Sequence, residues 1–230
     1  MTLKFWARSV VVAALFGAAM PVFAAEITSP AKQAHVTDFA SGKVLFSKDA
    51  DAPMKPASMA KIMTVFVAFQ RIADGQLGMD DKFTISEKAW KKGGSRTFLE
   101  VGRTVSVREL LYGIIVQSGN DAAIVLAEGI SGTEDAFVQE MNFWAKKIGM
   151  KNTNFQNSTG WPDPDLTTTA ADLNIMTTEL MRRFPADEYP DLDPICAKRE
   201  YTYNKIRQPN RNPLVYGTVG ADGLKTGHTQ

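Results

Sequence analysis

The sequence predicts a mixed α+β fold, and three observations carry that prediction. Apolar residues recur at helical spacing through several central segments. A strand–turn–strand pattern precedes them. A short strand with alternating tyrosines, Tyr201-Thr202-Tyr203, follows them. The 230 residues suit one large domain or two small ones, and 44% hydrophobic content is enough to fill a core.

The elements follow in order. Lys4 and Arg8 precede an apolar run from Val10 that continues to Phe23, and Val22-Phe23-Ala24 is an acceptable cleavage site. This predicts a signal peptide over residues 1–24 and a mature domain over residues 25–230, exported to a bacterial periplasm. A membrane anchor is the competing reading, but the run is short for a span. Val36–Phe39 and Val44–Phe46 flank Ser41-Gly42 as a hairpin, and Pro53 and Pro56 then break the chain. Residues 58–73 read as a helix ending near Gly75. Ala60, Ile62, Met63, Val65, Phe66, Val67 and Phe69 surround it, so it is a buried one. Ser106-Val107-Arg108-Glu109 is a capping box opening a helix through Leu110, Leu111, Ile114 and Ile115. Ser118-Gly119-Asn120 interrupts it, and helix resumes from Asp121 to Glu128. Another helix runs from Glu134 to Ile148, stopped by Gly149. A further one follows Thr169, with box-like spacing to Asp172, and ends before Pro185.

Composition excludes several functions. Net charge is +1 with scattered basic residues, so nothing argues for nucleic acid. The single cysteine, Cys196, forms no internal disulfide and reads as a buried apolar residue. The two histidines, His35 and His228, sit in no triad motif, and no Gly-x-Ser-x-Gly elbow exists. Two histidines and one cysteine are too few for an ordinary catalytic zinc site, so neither metal nor cofactor is expected.

The chemistry is carried by three short motifs. Ser58-Met59-Ala60-Lys61 puts a serine and a lysine on one helix face. A serine hydroxyl is a poor nucleophile until a base takes its proton, and a lysine serves if burial or a second cation lowers its pKa. Ser118-Gly119-Asn120 can aim polar groups into a cleft from a turn between helices. Lys225-Thr226-Gly227 adds a cation and a hydroxyl. Each motif alone has an ordinary reading: a capped helix, a turn in which Asn120 or Asp121 caps the next helix, a strand end. Ser29-Pro30-Ala31-Lys32 also matches the first pattern but precedes no apolar helix. In this order the three together supply the parts of one acyl-transfer site.

With the stretch from Asn204 to Asn212, these motifs resemble the low-molecular-mass penicillin-binding proteins, in particular the serine D-alanyl-D-alanine carboxypeptidases. The resemblance runs from about Phe39 to His228. It implies the penicillin-binding/β-lactamase-like transpeptidase fold, an antiparallel sheet with a helical subdomain. It implies a periplasmic enzyme of peptidoglycan biosynthesis and cell shape. That enzyme takes the terminal D-alanine from stem peptides ending in D-Ala-D-Ala and is inhibited by β-lactam antibiotics. Ser58 would form the acyl-enzyme, Lys61 would be the base, and Ser118 would relay the proton. Asn120 would hold the substrate amide and Lys61. Lys225 would add a cation, and Thr226 and Arg211 would bind the terminal carboxylate. Backbone N–H groups of Ser58 and His228 would form the oxyanion hole.

A related β-lactamase is the alternative. Class A enzymes use a glutamate in Glu-x-x-Leu-Asn, but Ala170 stands in that place before Leu173-Asn174. A non-catalytic penicillin-sensing or wall-binding protein is another. Relatives continue beyond the third motif with strands, a helix, and often a β-rich domain and a membrane-associating tail. The resemblance therefore implies a catalytic domain incomplete at residue 230, a weakly active chain, and membrane association through a segment absent from the sequence.

Overall fold

The computed structural model describes residues 27–228, so the signal-peptide expectation lies outside the described residues. A hairpin comes first. Strand β1, Ala34–Thr37, pairs antiparallel with β2, Val44–Lys48. Phe39 falls in the connecting turn rather than the strand. The Asp38 carboxylate accepts from Ser41 N at 2.9 Å, and Gly42 takes the positive φ of 73°.

The buried helix predicted over residues 58–73 is two elements. Ala57–Ala60 is a 3₁₀ turn, and α1, Lys61–Ala73, follows it. The first nine residues of α1 are all buried, as its all-round apolar sequence requires. Phe66 meets Trp144 and Phe184 edge to face, with ring centroids 5.6 and 5.8 Å away.

Around α1 stand β3 (Lys82–Thr84), α2 (Glu87–Lys91), β4 (Thr104–Ser106), α3 (Val107–Val116), α4 (Asn120–Ser131), α5 (Glu134–Ile148) and α6 (Ala170–Arg183). The box opening α3 is complete: Ser106 accepts from Glu109 N, and Glu109 accepts from Ser106 N. Thr133 caps α5, and Gly149 ends it with φ 94°. At α6 only half the expected box forms. Thr169 Oγ1 accepts from Asp172 N, but the Asp172 carboxylate turns to Asn152 N and Thr153 Oγ1 at 2.8 and 2.7 Å.

The chain continues through α7 (Asp193–Ala197), β5 (Glu200–Tyr203), β6 (Ile206–Pro209) and α8 (Leu214–Gly217). Cys196 on α7 is buried. The α+β class holds, but the sheet differs from expectation. The strands form three separate antiparallel pairs, β1–β2, β3–β4 and β5–β6. Lys225-Thr226-Gly227 belongs to none of them, since no described segment lies in register beside it.

Candidate active site

Ser58 sits on the 3₁₀ turn, in which side chains three apart eclipse one another. Lys61 Nζ therefore lies 3.3 Å from Ser58 Oγ. The turn is strained: Ala57, just before Ser58, has φ +49°, which L-residues avoid. Gly160, itself at φ +75°, lies close against this turn: a Cβ there would stand 1.7 Å from Ala57 O.

Lys61 has no exposed surface. Its Nζ reaches Asn120 Oδ1 at 2.7 Å and Thr159 O at 2.6 Å besides Ser58. Both of those partners can only accept. A neutral lysine amine has two N–H donors and one lone pair. In that neutral form, with the donors committed to Asn120 and Thr159, the lone pair would face Ser58 Oγ, the arrangement a base needs. Burial pushes the Lys61 pKa well below its ordinary value. The cations Lys225, Arg211 and Lys92 add to this, and Asp121 opposes them.

Asn120 opens α4 without capping it, and the cap residue Gly119 supplies no side-chain bond. Asn120 Nδ2 donates to Gly93 O at 2.8 Å, which orients the amide so that Oδ1 faces Lys61. Asp121, fully buried, accepts from Thr97 N and Leu99 N, tying the residue 93–99 loop to this helix end. Ser118 occupies the turn between α3 and α4 at φ +63°. Its hydroxyl is buried and has no hydrogen-bond partner among the described residues.

A cleft of about 290 Å³ opens over Ser58, Asn120 and His228, with Ser95, Thr159 and Trp161 on its walls. None of the described residues lining it is acidic. Arg211 donates to Ser95 Oγ at its edge. Lys225 Nζ donates to Thr226 O at 2.7 Å, so it reaches Lys61 through its field rather than by contact. Burial and the Arg211 cation bring its own pKa down to about 7. Thr226 is half-buried and His228 exposed. A cleft with this cationic surround favours a ligand carrying a carboxylate.

The wall at residues 157–161 was missed by the motif reading. Asn157 Oδ1 accepts from Thr159 N, Thr159 Oγ1 and Trp161 N at 3.2, 2.8 and 2.9 Å, closing a tight turn. The turn-forming run Asn157-Ser158-Thr159-Gly160 was the signal available for it.

A family model described as D-alanyl-D-alanine carboxypeptidase matches residues 20–230. The chain is 41% identical over 227 residues to the D-alanyl-D-alanine carboxypeptidase DacC of Escherichia coli K12, covering 94% of this chain and 56% of that protein. It is 40% identical to DacF of Bacillus subtilis, over 89% of this chain and 52% of that protein. Penicillin binding protein 5 from Haemophilus influenzae superposes with a TM-score of 0.82 at 38% identity, over 89% of this chain and 60% of that one. The chain thus spans about half the length of the curated relatives it matches.

Proposed function

Because the chain belongs to the D-alanyl-D-alanine carboxypeptidase family, we propose that it is the acyl-transfer domain of a serine D-Ala-D-Ala carboxypeptidase. The observation that carries this reading is the buried Lys61 amine, 3.3 Å from Ser58 Oγ and held by two obligate acceptors, Asn120 Oδ1 and Thr159 O. Lys61 takes the Ser58 proton as Oγ attacks the carbonyl between the two D-alanines. Backbone N–H groups of Ser58 and His228 receive the developing oxyanion. The C–N bond breaks, Ser118 relays the proton to the leaving amine, and D-alanine departs. Water then hydrolyses the ester on Ser58. Asn120 holds Lys61 and the substrate amide, while Lys225, Thr226 and Arg211 receive the terminal carboxylate.

Its substrates are peptidoglycan stem peptides ending in D-Ala-D-Ala, and β-lactams acylate the same serine. Such trimming acts on wall cross-linking and thereby on cell shape. The mature domain begins at Ala25 after export to the periplasm, and N-terminal sequencing of exported protein should start there; an intact Met1 on membrane-bound protein contradicts it. Among the described residues no helix is long and apolar enough to cross a membrane. Membrane association through further sequence, as the family resemblance implies, belongs to the same proposal.

A class A β-lactamase uses a glutamate carboxylate to activate water against the acyl-enzyme, and none of the described residues lining the cleft is acidic. The test pairs D-alanine release from a D-Ala-D-Ala peptide with penicillin hydrolysis. The carboxypeptidase reading predicts release together with a long-lived penicilloyl adduct. Rapid penicillin turnover without D-alanine release would favour the β-lactamase, and neither activity would favour a sensor or wall-binding role.

A further inference from the structure

Thr159 O is one of the two acceptors that orient Lys61, yet the carbonyl belongs to a loop. What holds that loop lies one residue back. Ser158 is fully buried, and each of its polar groups is taken. Its N–H and Oγ–H both donate to Glu134 Oε1, at 3.1 and 2.7 Å, and its carbonyl accepts from Thr64 Oγ1 at 2.7 Å. Glu134 starts α5, where an acidic residue ordinarily faces water and merely complements the helix dipole. This one is 8% exposed, and its other oxygen meets Lys88 Nζ on α2 at 2.8 Å. One carboxylate thus joins α2, α5 and the catalytic turn.

We infer that Glu134 is a positioning residue for Lys61, acting through Ser158 on the Thr159 carbonyl. The inference rests on the reading of Lys61 as the base. Glu134 touches neither substrate nor reacting atoms. It fixes Ser158 at its N–H and hydroxyl, and through that residue the next peptide, Thr159–Gly160, whose carbonyl orients the Lys61 amine. Gly160 of the same turn lies close against Ala57, beside the 3₁₀ turn that carries Ser58.

The experiment follows acylation by a fluorescent penicillin over a range of concentrations, separating the limiting rate from the half-saturating concentration. Glu134→Ala should lower the limiting rate on the order of a hundredfold with little change in half-saturation, since misplacement by about 1 Å has that effect. Glu134→Gln keeps an acceptor for Ser158 but not the charge facing Lys88, and should stay within about threefold of wild type. A Glu134→Ala chain that melts cooperatively and is acylated at the wild-type rate overturns the inference. So does an equal loss in Glu134→Gln, which would assign the effect to the Lys88 ion pair. If the wild-type chain takes no label, the functional reading fails. The positioning claim is then decided by the Lys61 side-chain NMR resonance. It should move in Glu134→Ala and not in Glu134→Gln; an unmoved resonance in Glu134→Ala overturns it.

Discussion

Lys61 and Lys225 bear on one site but are held differently. Lys61 is fully buried, and its amine reaches partners on the 3₁₀ turn, on α4 and on the residue 157–161 turn. Lys225 is half-buried and bonds the carbonyl of its own neighbour. Among the described residues no backbone–backbone hydrogen bond reaches residues 224–228; Asn212 Nδ2 holds the segment at Gly223 O, and Gly227 packs against Pro56 O and Met59. The difference follows from the physics each lysine uses. Proton transfer demands hydrogen-bond geometry and fails steeply away from it, whereas a charge acts over several ångströms with a slow fall-off. On the proposed mechanism, the base is therefore built into the core, and the electrostatic helper can ride on a loop.

The largest effect should come from breaking the rigid side. Lys61→Arg keeps the charge but cannot deprotonate, and acylation by penicillin should fall on the order of a thousandfold. A rate near wild type would remove Lys61 from the mechanism. Gly160→Ala comes next, because the new Cβ meets the Ala57 carbonyl and the backbone is in the left-handed region. About a hundredfold loss of acylation is expected, with a lower melting temperature. Unchanged kinetics would mean the Ala57 turn is not held by Gly160.

Lys225→Met sharpens the contrast. Lys225 lowers the Lys61 pKa, so its removal should raise that pKa and move the acid limb of the acylation profile to higher pH. An unmoved limb would uncouple the two lysines. Stability should respond as well. The Lys225 pKa lies near 7 in the folded chain and near 10.5 when unfolded, so between these values the unfolded state binds more protons and stability rises with pH. Lys225→Met should therefore be the more stable chain below about pH 7, with its advantage shrinking toward pH 10.5 in denaturant titrations. The smallest effect should be that of Thr226→Val. One hydrogen bond to the substrate carboxylate is lost, and KM should rise about fivefold at nearly constant kcat. A fall in kcat alone would place Thr226 in the chemistry instead.

What could be read from sequence was what is local to it. The Ser106–Glu109 box and the Glu134 start and Gly149 stop of α5 depend on residues within one or two turns, and they form as expected. The 3₁₀ turn under Ser58 was not legible, because nothing in the local sequence marks the positive φ at Ala57, and the close neighbour of that turn, Gly160, is remote in sequence. Asp172 fits a capping box by spacing but finds Asn152 and Thr153 in space. The motif residues Ser58, Lys61 and Asn120 announced themselves, while Thr159 contributes a carbonyl, which every residue has. No side-chain pattern could single it out. Lys225-Thr226-Gly227 resembles a strand end, but a strand exists only where another segment lies in register beside it, and none does among the described residues.

The most direct test of the account is the site of covalent attachment. The chain is treated with penicillin, digested, and the adduct located by mass spectrometry. The account predicts one penicilloyl group on Ser58 and none in Ser58→Ala. A label on Ser118 or any other residue, or a labelled Ser58→Ala chain, would contradict it.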